Sequence, residues 1–382
     1  MWVIKFWRGA YNFLDLNYES ARITENTVWG EGYIIMKVIQ AMNEYGHERI
    51  VFVHDKEVGL NAIIAIHSTV LGPALGGTRF WNYSSEEDAL FDVLRLSRGM
   101  TLKNAAAGLK LGGGKAVIIG DPKQLKSRDF FRAYGKFIDA LGGHYYTAED
   151  VNTSATDIAQ INEVTKYVSG TPEVSGNPSP FTARGVYMGM KAGASVKFGS
   201  DSLRGKTVAV QGLGSVGYLL CERLRNEGAT LKVYDINAVV VEKAVKELGA
   251  IAVAPEEILT TECDIFAPCA MGAVLNTDNV GALKCKLVAG AANNVLLDAA
   301  TGDALNNMDI LYLPDYIINA GGVINCGMEI PDGNYDVDVI NTKVDQIYDT
   351  TLKIISIAKE KGVSTYRAAD GYAEGIVNAA KK

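Results

Sequence analysis

The 382-residue chain is longer than one compact core usually organises, which points to two or three domains. Apolar residues make up 48% and charged residues 21%, the balance of an ordinary globular protein. A net charge of -7 without clustered Lys or Arg argues against a nucleic-acid partner.

The first thirty or so residues carry aromatics without clear periodicity and read as an extension. A helix is expected at Tyr33–Tyr45, then strands at Arg49–His54 and Leu60–His67, running into a turn-rich stretch at Gly72–Arg79. Ser84–Thr101 reads as a helix, capped by Ser84 or Ser85 with acids in its first turn. A short buried strand (Ala116–Ile119) and an amphipathic helix (Asp129–Leu141) follow, so the first part is α/β. The Gly-, Pro- and Ser-rich segment Ser169–Pro180 marks a boundary, with a helix at Thr182–Val196 opening the next domain. Helices are expected again at about Asp338–Gly362 and Thr365–Ala380. This gives a substrate and oligomerisation domain of residues 1–179 plus about 335–382, and a doubly wound domain of 180–334.

Thr207–Asp235 has the order of a dinucleotide-binding unit. A short apolar strand meets Gly212-Leu213-Gly214-Ser215-Val216-Gly217, a helix follows, and the next strand ends at Asp235. Gly212 allows the tight turn, Gly214 the approach of a pyrophosphate, and Gly217 close helix–strand packing, while the helix N-terminus presents free N–H groups to phosphate. Asp235, 18 residues beyond Gly217, is placed to accept a ribose 2′-hydroxyl and repel a 2′-phosphate, which predicts NAD over NADP. Strands at Ile251–Val253, Asp264–Ala267, Leu287–Ala289 and Ile310–Leu313 would complete six. Ligands meet such sheets at the carboxyl ends of strands, so Pro268–Gly272, including Cys269 and Ala270, and Gly290–Asn294 are candidates to meet the cofactor.

Lys103 and Lys115 bracket a segment of small residues, NAAAGLKLGGG. Two partly buried ammonium groups close together would lower one pKa toward neutrality, making a general base, and leave the other to hold an anion. Surface lysines on a loop are the plainer alternative, and Lys110 fits that description. Asp150, after a strand-like Tyr145–Thr147, could move protons or cap a helix. Cys221, Cys263, Cys269, Cys285 and Cys326 include no CxxC pair and no histidine at ligand spacing, so no metal site is expected; reduced thiols in a cytoplasmic protein fit. The N-terminus lacks a signal-peptide pattern, and no segment approaches the roughly 18 apolar residues of a membrane helix.

GPALGGTR (72–79), RGMTLKNAAAGLKLGGGKAVIIGDP (98–122), TAEDVNT (147–153), GNPSP (176–180), QGLGSVG (211–217), DIFAPCAMG (264–272), GAANN (290–294) and PDYIINAGGVIN (314–325) occur in one order. Together they resemble the Glu/Leu/Phe/Val dehydrogenase family, most of all its leucine and valine branch, from about Glu48 to near the C-terminus. The resemblance implies that Lys103 binds the substrate carboxylate, Lys115 is the base that activates water, and Asp150 assists proton transfer. It implies Gly76 and Gly77 beside that carboxylate, and Thr182 and Asn293 near the nicotinamide or the amino group. The side-chain pocket would hold Leu75, Ala148, Val323 and Cys326, an apolar set suited to a branched aliphatic group rather than a second carboxylate.

The implied reaction is reversible NAD-dependent oxidative deamination of leucine, valine or isoleucine to the 2-oxo acid and ammonia, by a homo-oligomer (dimer or octamer). Hydride transfer needs a dry site, so closure between the domains is expected. The alternatives are a phenylalanine- or tryptophan-type dehydrogenase and a non-catalytic NAD-binding relative. A hydroxy-acid dehydrogenase generally uses a His–acid pair, and no histidine follows His144. The chain departs from the family at Asn152, where a glycine is usual in the leucine enzymes, at Cys326, where valine is common, and over residues 328–339.

Overall fold

The computed structural model describes residues 38–172, 174–270, 272–330 and 335–381; the N-terminal extension and the first five residues of the Tyr33–Tyr45 helix lie outside them. The principal elements are α1 (Val38–Tyr45), β1 (Arg49–Asp55), β2 (Leu60–Ser68), β3 (Ala74–Trp81), α2 (Glu86–Ala106), β4 (Gly112–Ile119), α3 (Arg128–Asp139), β5 (Tyr145–Glu149), α4 (Ala155–Asn162) and α5 (Ser179–Phe198). The chain continues through β6 (Thr207–Gln211), α6 (Ser215–Glu227), β7 (Thr230–Tyr234), α7 (Ala238–Leu248), β8 (Ile251–Ala252), β9 (Ile265–Pro268), β10 (Leu287–Val288), α8 (Ala299–Asn307) and β11 (Leu311–Tyr312). It ends with α9 (Gly321–Gly327), α10 (Val337–Asp345), α11 (Ile347–Lys361) and α12 (Thr365–Ala380). The described residues divide into two compact units: 38–189 with 316–352 and 369–381, and 190–315 with 353–368. No helix among them is long and apolar enough to cross a membrane.

The first unit is built on a five-stranded sheet in the order β1-β2-β4-β3-β5. β1–β2 and β2–β4 are antiparallel, whereas β3 runs parallel to both β4 and β5. Alternation along β4 divides its side chains between two faces. Val117 packs with Ile63, Ala65 and the α2 residues Ala89, Leu90, Val93 and Leu94. Ala116 and Ile118 pack on the other face with Phe80, Phe130, Phe131, Tyr134, Ile158 and Ile161 from β3, α3 and α4. Burying each such large side chain contributes ~1.5–3 kcal/mol. α2 starts where Ser85 Oγ accepts the Asp88 amide, with Glu86, Glu87 and Asp88 in its first turn.

Four elements differ from expectation, three of them in the first sheet and the helix packed on it. Gly72–Arg79, expected to be turn-rich, is mostly strand β3; β4 begins at Gly112 instead of Ala116; and α2 continues past Thr101 to Ala106. The two strand differences have one cause. The glycines lower strand propensity, but they let backbones meet: a Cβ on Gly112 would sit 1.9 Å from Ser68 O, and one on Gly113 2.1 Å from the Thr101 amide nitrogen of α2. The single helix expected at Asp338–Gly362 is two, α10 and α11.

The second unit has the expected six strands, all parallel, in the order β11-β10-β9-β6-β7-β8. Counted from the first of them, β6, this is the 3-2-1-4-5-6 order of the doubly wound fold, with β6 and β9 adjacent where the order reverses. One side of the sheet packs through Ala209, Phe266, Val288 and Tyr312 on Leu275, Val295, Leu296 and Leu305.

Candidate active site

In the second unit the glycine loop has the geometry that its residues demand. Gly212 lies at φ +100°, and a Cβ there would fall 2.7 Å from the Ala270 amide nitrogen. A Cβ on Gly217 would fall 2.1 Å from Gly212 O, whereas one on Gly214, the N-cap of α6, would meet nothing within 4 Å. The loop is packed where it must be tight and open where phosphates would approach.

Asp235 holds it from the end of β7: its Oδ2 accepts the Leu213 amide at 2.6 Å and its Oδ1 the Asn237 amide at 2.8 Å. These residues line a pocket of about 380 Å³ with Ser215, Tyr218, Leu219, Val240 and Lys243. Lys243 Nζ stands 4.4 Å from the centroid of the Tyr218 ring, and the Tyr218 hydroxyl donates to Glu247. Tyr218, Val240 and Lys243 were missed in the sequence because they belong to no motif. Val216 lies in the first turn of α6 behind the loop.

Cys269 lies past the end of β9; its Sγ accepts the Ala291 amide at 3.5 Å, and burial pushes its thiol up to about 12. Asn293 is exposed beyond β10, and its carbonyl would lie 2.3 Å from a Cβ on Gly272. The open glycine turn, the amide-anchored carboxylate and the pocket fit a dinucleotide.

In the first unit the chemistry gathers on β3, β4 and the end of β5. Lys115 is no loop residue: it lies in the interior strand β4, is 6% exposed, and its Nζ is 3.0 Å from Asp150 Oδ2. Lys110 is exposed. Lys103 occupies the last turn of α2, half-buried, two residues beyond the Thr101 backbone that lies on Gly113. The nearest charge to Lys115 is thus a carboxylate, where spacing alone had suggested Lys103.

Asp150 is not a cap. Ser154 and Asp157 form the capping box of α4, which leaves the Asp150 side chain to Lys115 and Arg79. Gly77 makes room for it, because a Cβ there would sit 2.3 Å from Glu149 O and 2.9 Å from Asp150 Cβ. A Cβ on Gly76 would likewise fall 1.8 Å from Gly114 O, and the Gly76 carbonyl accepts the buried Tyr145 hydroxyl at 2.6 Å. Burial raises the Asp150 carboxyl, but Lys115 and Arg79 together hold it below its ordinary value.

Arg79, Asp92 and Tyr83 were not singled out in the sequence. Arg79 donates through Nε to Asp150 at 3.1 Å and through Nη1 to Asp92 at 2.8 Å. The available signal was an acid, Asp92, beside the apolar stripe Ala89, Leu90, Val93 and Leu94 of α2; it is 4% exposed.

Leu75 and Val323 fall in one apolar cluster with Leu109, Leu111, Ile330 and Tyr146. Ala148 lies two residues beyond Tyr146 on the same face of β5, paired with Gly77. Cys326, one helical turn from Val323 on α9, approaches Gly170: a Cβ there would be 3.5 Å from its sulfur. Burial pushes its thiol up to about 12. Thr182 Oγ1 faces Gly322, at 2.7 Å from a Cβ there. A larger groove of about 590 Å³, lined by Gly108–Leu111, Met328 and α10, lies behind Leu109 and Leu111 and contains none of the predicted site residues.

A doubly wound nucleotide unit and a lysine–carboxylate centre on an α/β unit together define an amino-acid dehydrogenase that uses a nicotinamide cofactor. Residues 47–167 match the family described as Glu/Leu/Phe/Val dehydrogenase, dimerisation domain, and residues 241–381 match Glutamate/Leucine/Phenylalanine/Valine dehydrogenase. The chain belongs to the Glu/Leu/Phe/Val dehydrogenase family. It is 55% identical to leucine dehydrogenase of Geobacillus stearothermophilus, over 91% of this chain and 95% of that enzyme. It is 48% identical to valine dehydrogenase of Streptomyces virginiae, over 86% and 93%. The crystal structure of L-tryptophan dehydrogenase from Nostoc punctiforme is similar at a TM-score of 0.80 and 45% identity, covering 91% of this chain and all of that one.

Proposed function

We propose that this enzyme catalyses the NAD-dependent, reversible oxidative deamination of leucine, valine or isoleucine to the 2-oxo acid and ammonia. The observation that carries the reaction is the pair of buried Lys115 and half-buried Asp150, 3.0 Å apart, in a chain that is 55% identical to a leucine dehydrogenase over 91% of its length. In this reading Lys103 holds the substrate carboxylate beside Gly76 and Gly77. Lys115, once it has lost its proton, takes one from the water that attacks the imino acid. Asp150 accepts and returns protons as the carbinolamine forms and collapses to ammonia and the 2-oxo acid.

NAD, when bound, would supply the acceptor for the hydride that leaves Cα. Its pyrophosphate would rest on Gly212–Gly217 and its adenosine ribose on Asp235, with Thr182, Cys269, Ala270 and Asn293 toward the nicotinamide. The preference for NAD is supported by the Asp235 carboxylate in the lining of the pocket, where a 2′-phosphate would meet a like charge.

A branched aliphatic substrate is supported by the Leu75–Val323 cluster with Ala148 and Cys326 nearby. An aromatic substrate is the second reading, supported by the 45% identity to the tryptophan enzyme. Homo-oligomerisation, to a dimer or octamer, is supported by the dimerisation-domain match and by Phe52, 57% exposed on edge strand β1. Five cysteines without disulfides support a cytoplasmic location.

The test is NADH and NADPH oxidation with ammonia and a panel of 2-oxo acids. Rapid turnover of the branched-chain acids with NADH is expected; turnover confined to aromatic acids would overturn the substrate assignment.

A further inference from the structure

We propose that Arg79 is a positioning residue for Asp150, fixing that carboxylate in place and keeping it anionic while Lys115 exchanges its proton. The inference rests on the reading of Lys115 and Asp150 as the proton-handling pair. Asp150 Oδ2 accepts from two cations at once, Lys115 Nζ at 3.0 Å and Arg79 Nε at 3.1 Å. Arg79 is itself tethered, because its Nη1 donates to the buried Asp92 at 2.8 Å. Asp92 is held in turn by the Tyr83 hydroxyl at 2.7 Å and by Arg95 at 3.0 Å. Charges therefore alternate from β4, past the end of β5, through β3 and into α2, all within one compact unit.

The chemistry explains why a second cation is needed. Lys115 must be neutral to act as a base, and at that moment Asp150 loses one of its two counter-charges. A buried carboxylate left without a cation would take up a proton and cease to be an acceptor. A guanidinium does not deprotonate in proteins, so Arg79 remains charged throughout. Its planar fork also reaches two carboxylates through separate nitrogens. A lysine at this position would have a single nitrogen and could not reproduce both contacts.

The test uses the full-length enzyme with Arg79→Gln and Arg79→Lys, reading the pH dependence of kcat/KM for leucine, kcat, NADH binding and thermal melting. Removing a fixed positive charge eases protonation of both Asp150 and Lys115. The acid-side midpoint of Arg79→Gln should therefore rise by about one pH unit or more, and kcat should fall ~10-fold or more, with NADH affinity kept. Arg79→Lys keeps the charge and loses the geometry, so its midpoint should stay near that of the wild type while kcat falls.

A folded Arg79→Gln enzyme with an unmoved midpoint overturns the proposal, as does an Arg79→Lys midpoint displaced as far as that of Arg79→Gln. If Arg79→Gln does not fold, wild-type kcat in Arg79→Lys overturns it as well. Lys115→Met separates the two levels: substantial turnover there defeats the proton-handling reading itself, whatever the Arg79 variants do.

Discussion

Lys115 Nζ stands 3.0 Å from Asp150 Oδ2, although the two residues come from β4 and from the end of β5, with β3 between them. The contact exists because β3 carries glycine at position 77. Two side chains rooted on either side of that strand can meet only if the strand contributes nothing where they cross, and any Cβ there would press on Asp150.

Gly77→Ala should consequently disturb both the backbone at the end of β5 and the chemistry that it carries. The added methyl, 2.9 Å from Asp150 Cβ and 2.3 Å from Glu149 O, has to push the carboxylate away from Lys115. Loss of kcat by ~100-fold or more is expected, since displacing a catalytic group by about 1 Å costs that order. Steady-state kinetics with a melting curve checks it, and a Gly77→Ala enzyme of normal kcat would show that the pair tolerates displacement.

Lys115→Ala and Asp150→Asn should each remove the proton-handling step while leaving the nucleotide unit intact. A fall of ~10³-fold or more in kcat is expected for the lysine and ~10²-fold for the aspartate, with NADH fluorescence titrations unchanged. Near-normal turnover in Lys115→Ala would sink the assignment of the base.

What could be read in the sequence was whatever depends on local order along the chain. The Thr207–Asp235 unit is strand, glycine turn, helix, strand and acid within one supersecondary motif, and Leu213, Gly214, Ser215 and Asp235 of it line one pocket. The first unit resisted because its decisive relations lie between strands. Gly112, Gly113 and Gly114 look like loop in one dimension; in the sheet they make room against β4 for Ser68 O of β2, the Thr101 backbone of α2 and the Tyr145 ring of β5. Arg79 and Asp92, 13 residues apart, share no local motif, and only the packing of α2 on the sheet joins them. Lys103 and Lys115 were conspicuous by composition, but the partner of Lys115 comes from a segment 35 residues away.

Asn152 has φ +58°, the left-handed region that glycine and asparagine tolerate best. Its Nδ2 also donates to Phe80 O at 3.0 Å. Asn152→Gly trades that hydrogen bond for a relaxed backbone and should stay within ~0.5 kcal/mol of the wild type. Asn152→Ala loses the bond and keeps the strain, so ~1–2 kcal/mol of destabilisation is expected. Urea unfolding of the two variants decides it, and equal stabilities would remove the backbone explanation.

Stability should fall with acid through His47 and His67, whose rings meet edge-to-face at 4.9 Å. Burial, reinforced for His47 by His67 and Arg98 and for His67 by Arg98 and Lys381, lowers both to about 4. Between pH 6.5 and 4 the unfolded chain takes up protons that the folded chain refuses, so the stabilisation is complete above pH 6.5 and is lost as pH drops toward 4. Up to ~3 kcal/mol per histidine is at stake. His67→Gln should flatten this slope in urea unfolding between pH 7 and 5; an unchanged slope would assign the acid sensitivity elsewhere.

Asp235 offers the last prediction, because its carboxylate has two duties that substitution can separate. It anchors the glycine loop through the Leu213 amide and, in the proposed complex, accepts the ribose 2′-hydroxyl. Asp235→Asn keeps one oxygen, enough for the Leu213 amide but not for that of Asn237 as well, and removes the negative charge, so the loop should be weakened less than in Asp235→Ala while the barrier to a 2′-phosphate falls. Asp235→Ala removes both and should weaken NAD and NADP alike. The expected result is a rise of ~10-fold or more in the NADP-to-NAD ratio of kcat/KM for Asp235→Asn. If both variants lose NAD equally with no gain for NADP, the carboxylate serves the loop alone, and cofactor choice has to be sought in Lys243, which lines the same pocket.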